Sequence, residues 1–452
     1  MQNIFSSIER FRGWIIKATA QVRRSPVFTI AAAFGGLMIF ISTYGIAFGS
    51  PLAWNLPPSF EKQGGGAIAT RTPVPPPTST PTLEPLPPLQ TAPEYINRAY
   101  YYLNLSNYEQ ALADYTQAIR LDPISATAYT GRGRAYRALG QTDLALADYN
   151  QALQLTPTNG AIYNNRGLLY HDQGQEDLAL ADLNQALQLN PNDAIAYSNR
   201  GLVYHALGEN DLALADYNHS LQFDPDYALA YNNRGLLYWE QGKDDLALAD
   251  FNVALQLNPN DAIAYNNRGL VYRALGENDL ALADYNQALQ LNPNYAKAYN
   301  NRGLLYRALE ENDLALADFN EELRLNPNDA PAYNNRGLVY HDLGRENLAL
   351  ADYNEALRLN PDDARAYVNR GSLYYSLRNY PDALADFERA LQIDPSNVNA
   401  YWGRGNIYYR RGDYAQAIAA YQAYERLAGK LEPFMQQRII TMQAALALTP
   451  SP

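Results

Sequence analysis

A strict period of 34 residues runs through most of this chain, and it restricts the fold more than any other feature. Units begin at Ala92, Ala126, Gly160, Ala194, Ala228, Ala262, Ala296, Ala330, Ala364 and Val398 and occupy 92–125, 126–159, 160–193, 194–227, 228–261, 262–295, 296–329, 330–363, 364–397 and 398–431 without an insertion. The sixth unit reads AIAYNNRGLVYRALGENDLALADYNQALQLNPNY. Its Tyr265, Leu270, Tyr272 and Leu275 fall on one helical stripe, and Leu280, Ala281, Tyr285, Ala288 and Leu289 on a second. Gly276 between the stripes is placed to end the first helix in a left-handed conformation, and Pro293 ends the second. Each unit is therefore expected to be a helical hairpin that cannot bury its stripes alone, so that neighbours stack into an α-solenoid.

The columns of the alignment of units against one another carry a resemblance. Counting within each unit, position 4 is Tyr in all ten (Tyr95 through Tyr401), position 8 is Gly in most, and position 11 is Tyr in all ten (Tyr102 through Tyr408). Position 20 is Ala in all ten (Ala111 through Ala417), position 24 is usually aromatic, position 27 usually Ala and position 32 usually Pro. The unit resembles the tetratricopeptide repeat, over 340 of 452 residues. The resemblance implies an all-α, right-handed solenoid of ten helix-turn-helix repeats whose first helices line a concave groove, and it implies protein-protein interaction as the task. Positions 4, 11 and 24 hold 26 of the 37 tyrosines, which periodic core packing accounts for without a cofactor or stacking role.

Departures from the pattern lead to further expectations. In the seventh unit Glu310 replaces the turn Gly and Glu322 the buried Ala of position 27, which marks a weak joint. After the tenth unit, residues 432–452 contain Pro433 and the amphipathic run Phe434 to Ala447, a candidate capping helix with Ile440 and Leu446 facing inward. Position 7, usually Leu in the resembling family, is Arg in every unit (Arg98 through Arg404), and position 23 is Asp in nine (Asp114 to Asp386), with Ala420 the exception. A ladder of Arg-Asp pairs explains both columns, and an anion-binding spine is the alternative. For a partly buried ladder, Arg268→Leu is expected to be neutral or stabilising and Asp284→Ala destabilising.

In the resembling family the groove is lined by positions 2, 5, 6, 9, 12 and 13 of the first helix. Position 5 is Asn at Asn164, Asn232, Asn266, Asn300 and Asn334; position 6 is Asn at Asn97, Asn165, Asn199, Asn233, Asn267, Asn301, Asn335 and Asn369. A carboxamide ladder can grip the backbone of an extended peptide, and the alternative is that these amides bridge neighbouring units. Position 9 adds Leu168, Leu202, Leu236, Leu270, Leu304 and Leu338. Position 12 varies through Arg137, His171, His205, Trp239, Arg273, Arg307, His341, Tyr375 and Tyr409, so ligand specificity is expected there, toward acidic or aromatic residues. The carboxylate-clamp subset of the family uses Lys and Arg at positions 2, 5 and 6, where only Lys297 and Arg365 occur, so that function is not carried over. His171 and His205 share a position in adjacent units but lack a third ligand, and no metal or cofactor is expected.

Before the repeats, Val27 to Phe48 form 22 residues without a charge, long enough for a transmembrane helix. Residues 1–26 carry Arg10, Arg12, Lys17, Arg23 and Arg24 against Glu9, so the positive-inside bias keeps this segment cytoplasmic and exports the repeats. Ile4, Phe5, Ile8, Phe11, Trp14 and Ile15 lie at helical spacing there, compatible with a segment lying on a membrane or with a plain stub. Cleavage after Gly49, at Ala47-Phe48-Gly49, would instead release the product. Residues 49–91 are dense in Pro and read as a spacer, with a PxxP ligand as the alternative. Residues 1–91 hold seven Lys/Arg against three Asp/Glu, which leaves the remainder of a chain of net charge −12 at −16 and disfavours nucleic acid. With no Cys, thiol chemistry is excluded. There is no Walker A loop, GxSxG or HExxH, and only 21 residues follow the last unit, so no enzymatic activity is expected. The expectation is a membrane-anchored scaffold that binds a protein or peptide, with a self-assembling solenoid as the alternative.

Overall fold

The computed structural model describes residues 28–33, 36–41, 90–430 and 432–448. The chain divides into two units, Met1–Pro85 and Leu86–Pro452. In the first, β1 (Phe28–Ala33) pairs antiparallel with β2 (Gly36–Ile41), Phe28 opposite Ile41 and Ala33 opposite Gly36. These two stretches do not form the single helix expected over 27–48. The rest of 27–48, all of 1–26, and the spacer up to residue 89 lie outside the described residues. Among the described residues no helix is long and apolar enough to cross a membrane.

The second unit follows the 34-residue period. In the sixth repeat the helices are Ala262–Ala274 and Asn278–Leu291, and each of the ten repeats has the same two-helix form. Position 34 starts the next first helix: Asp261 accepts hydrogen bonds from the Ile263 and Ala264 amides, and Ser125, Asn159, Asp193, Asp329, Asp363 and Asn397 cap in the same way. Gly276, at φ +76°, closes the first helix; its amide donates to the Arg273 carbonyl and that of Glu277 to the Tyr272 carbonyl. Pro293 follows the last residues of the second helix, as expected.

Between the helices of a repeat, position 8 sets the distance. A Cβ on Gly269 would lie 2.7 Å from Tyr285 Cε1, so the missing side chain lets the Tyr285 ring lie against the first helix. Ala264, Val271, Ala281, Tyr285, Ala288 and Leu289 are buried. Leu275 and Leu280, placed on the apolar stripes from sequence, are about half exposed, because positions 20, 24, 27 and 28 define the buried face and position 19 lies beside it. Position 24 of one repeat packs on position 10 of the next, and the two alternate together. Tyr217 meets Leu237, Phe251 meets Val271, Tyr285 meets Leu305, Phe319 meets Val339 and Tyr353 meets Leu373. The packing thus repeats every two units, a period of 68 within the period of 34.

The Arg-Asp ladder is present in nine repeats. Arg268 Nε and Nη2 each donate to Asp284 carboxylate oxygens at 2.7 Å, and Nη1 donates to Asn252 of the preceding repeat at 2.6 Å. The guanidinium also lies 5.5 Å from the Tyr265 ring centroid and 5.7 Å from that of Tyr272. Tyrosines of positions 4 and 11 are therefore half-buried stacking partners of Arg, not the plain core residues expected. Buried Tyr149, Tyr217, Tyr285 and Tyr353 of position 24 are core, and their hydroxyls have no partner. Burial pushes the Tyr285 hydroxyl pKa up to about 12.

The cap forms over Pro433–Leu448 with a different inner face from the one expected. Met435 and Met442 are buried against Ala417 and Tyr421, with Ile439 packed beside them, whereas Ile440 is 58% and Leu446 40% exposed. Residues 435, 439 and 442 trace one stripe; Ile440 is a residue out of phase with it, and Leu446 is on its spacing at the outer end. Arg438 ties the cap down, donating to Asn406 Oδ1 at 2.7 Å and reaching the Tyr421 hydroxyl at 3.2 Å.

Candidate binding surface of the repeat array

The first helices hold the candidate groove residues, and the structure uses most of the carboxamides internally. A position-6 amide donates to the position-5 amide of the repeat before it: Asn199 to Asn164 at 2.8 Å, Asn267 to Asn232 at 3.1 Å, Asn301 to Asn266 at 2.8 Å, Asn335 to Asn300 at 2.9 Å and Asn369 to Asn334 at 2.8 Å. Six of these side chains, Asn164, Asn199, Asn232, Asn266, Asn267 and Asn334, are buried. The bridging alternative accounts for these ten residues, since a buried amide paired with its neighbour is held by the cost of leaving it unmatched. Asn165 and Asn233 stand apart, because position 5 of the preceding repeat is Thr130 or Ser198. Asn165 donates to the Ala161 carbonyl at 2.8 Å, and Asn233 is half-buried.

Position 12 is likewise divided. Arg137 pairs with Asp172, His205 Nε2 lies 2.6 Å from Glu240, and Arg307 lies 2.7 Å from Asp342; each acid is position 13 of the following repeat. His171 turns instead to Glu176 at 2.8 Å, so the two histidines of adjacent repeats serve different carboxylates. Where position 13 of the next repeat is Ala or Ser, the side chain at position 12 is Leu103, His171, Trp239, Arg273 or His341. Arg273 makes a 3.4 Å contact with the Asn301 carbonyl, and Trp239 packs partly on Phe251 and Val271. This spacing of 35 residues was legible in the sequence as alternating cation and acid, but reading one column at a time hides it.

Position 2 is exposed in every repeat. Ile195, Leu229 and Ile263, in three consecutive repeats, keep 42–51% of their surface in water. Lys297 follows in the next repeat and exposed Arg365 two repeats later. Toward the N-terminal end, Asn97, Tyr100, Thr127, Thr130, Arg134, Ala161 and Asn165 line a cavity of about 400 Å³, which places positions 2, 5, 6 and 9 of three successive first helices around one concavity. Arg134 there is exposed at its rim.

Tetratricopeptide repeat models match residues 92–124, 334–398 and 368–431, and a model described as TPR repeat matches 133–174, 169–208, 203–242, 238–276, 269–309 and 303–344. No curated protein matches the chain. Among solved structures, the APC/C hetero-tetramer Cut9-Hcn1 is similar at a TM-score of 0.50 and 17% identity, over 78% of this chain and 84% of that one. A tetratricopeptide repeat protein from Parabacteroides merdae gives 0.44 and 27% over 55% and 98%, and yeast Tom70 0.42 and 16% over 79% and 96%. The first of these has the same fold.

Proposed function

Because the chain belongs to the tetratricopeptide repeat family, we propose that this protein-interaction scaffold holds an extended partner segment along the first helices of its repeats. The observation that carries the reading is the row of Ile195, Leu229 and Ile263, aliphatic and half exposed, continuing toward Lys297 and Arg365. An occupant with apolar side chains followed by acidic ones matches that order. Trp239, Arg273 and His341, which have no acid opposite them in the next repeat, supply selectivity. The bridged asparagines act behind this surface by fixing the angle between repeats.

Residues 27–48 anchor the scaffold in a membrane in this reading, with the repeats on the exported side. Its support is the charge-free run and the basic flank before it. A two-stranded ribbon leaves its outer edges unpaired, and hydrocarbon offers them no partner, so within a bilayer the same residues meet their hydrogen bonds as a helix.

A photo-crosslinking residue at position 229 of the full chain tests the groove, with one at exposed position 158, in the turn between two repeats, as the control. Capture of a different protein from position 229 and not from 158 is the expected result. If position 229 yields only the chain crosslinked to itself, the self-assembling solenoid replaces the scaffold. Retention of the chain in membranes through alkaline extraction tests the anchor separately, and a soluble product beginning at Ser50 would show cleavage instead.

A further inference from the structure

The second helices carry a feature that the groove does not use. Position 19 is Leu in seven consecutive repeats (Leu144, Leu178, Leu212, Leu246, Leu280, Leu314 and Leu348), and each is 46–49% exposed. One turn further on, position 22 adds an exposed Ala in each of them, such as Ala215, Ala249 and Ala283. The terminal repeats show that the fold does not need this. Repeats one, nine and ten have Gln110, Asp382 and Gln416 at position 19, and place the apolar residue at position 17, where Tyr108, Tyr380 and Tyr414 pack on their own cores. The seven inner repeats have polar residues at position 17 and an exposed Leu two places later. Leaving half of a leucine in water forgoes on the order of 1 kcal/mol in each repeat. A continuous apolar strip of this kind marks a contact surface.

Charge decides what fits it. Position 18, beside each Leu, is exposed Asp in six of these repeats (Asp143, Asp177, Asp211, Asp245, Asp279 and Asp313). Glu209, Glu277 and Glu311 at position 16 add to the row, while Lys243 and Arg345 interrupt it. Two acidic strips repel, which disfavours a second copy, and anionic lipid or nucleic acid is repelled for the same reason.

We propose that the Leu/Asp strip on the second helices of repeats two to eight is a second docking surface, for a basic protein segment with regularly spaced apolar side chains. The test uses the full chain with Leu212, Leu246 and Leu280 all changed to Gln, the residue that repeats one and ten already tolerate there. The probe is a fluorescent synthetic peptide of repeating Leu-Lys-Lys-Leu, with Leu-Glu-Glu-Leu as its control. The parent should bind the basic peptide and not the acidic one, binding should weaken with salt, and the triple variant should lose about tenfold or more in affinity at an unchanged melting temperature. Equal binding by parent and variant overturns the proposal, as does no binding by the parent. Loss through Leu229→Ser alone would assign the peptide to the groove. A parent that is dimeric beside a monomeric triple variant would assign the strip to a second copy.

Discussion

Asp284 retains 6% of its side-chain exposure and its partner Arg268 retains 19%, so the ladder keeps its acids in the drier position. Removing Arg268 leaves the more buried charge without a partner, whereas removing Asp284 leaves a guanidinium that still stacks between Tyr265 and Tyr272 and still holds Asn252. The tenth repeat already shows the second situation, with Arg404 over Tyr401 at 5.0 Å and Ala420 opposite. The order expected from sequence is therefore reversed. Arg268→Leu should cost about 2–3 kcal/mol and Asp284→Ala about 1–2, with the double variant closer to the parent than Arg268→Leu is. Urea unfolding of the four proteins measures this, and a larger loss for Asp284→Ala would contradict it. The ladder itself was legible because both of its columns repeat. The use of Tyr265 and Tyr272 was not, because an aromatic at helical spacing has the same periodicity whether it meets a methyl group or a cation. The amide bridges were hidden for a related reason: Asn232 and Asn267 are 35 residues apart, and only the stacking of repeats makes them neighbours.

At the scale of the hairpin, the turn between helices is built on one left-handed residue. Seven repeats use Gly there, and three do not: Ser106, Glu310 and Arg378 have φ values of +57°, +63° and +59°. Glu310 was legible as a departure because it lies within the near-identical central repeats. Ser106 and Arg378 lie in the more divergent outer ones, where a single departure is not distinctive. All three adopt the same backbone as Gly276, which shows that the hydrogen bonds closing the helix, Glu311 amide to Tyr306 carbonyl at 2.9 Å among them, outweigh the clash of a Cβ in that region. Glu310→Gly should then stabilise by about 1 kcal/mol, and Gly276→Ala should destabilise by a similar amount. Thermal melts of the two variants check both signs; a loss of stability in Glu310→Gly would mean that the Glu310 side chain makes a contact worth more than the backbone strain.

Across the whole array, stability is distributed as a chain of nearest-neighbour contacts, so its least stable junction governs where it opens. The seventh repeat gathers two defects: the left-handed Glu310 and the buried Glu322. Glu322 is 4% exposed and its Oε2 has no partner. Burial, with Asp329 and Asp318 nearby, pushes its carboxyl from the ordinary 4.5 up to about 8. A carboxyl raised in the folded state holds its proton there while the unfolded chain releases it. Its contribution is therefore fully present below pH 4.5, is lost progressively as the pH rises toward 8, and stays lost above that. The loss is on the order of 5 kcal/mol, and in a repeat array it falls on the junctions of repeats six to eight. Glu322→Ala, the residue most other repeats carry, should remove the pH dependence at this point and stabilise the protein more at pH 9 than at pH 5. Hydrogen exchange is the suitable measurement because it resolves the repeats separately, once rates are corrected for the pH dependence of the chemistry. Amides of Asn312–Leu325 and Ala330–Asp342 should lose protection between pH 5 and 9 in the parent relative to those of Ala194–Ala206, and should not in the variant. A parent whose seventh and fourth repeats lose protection equally would show that Glu322 does not set the junction, and would leave the turn as its cause.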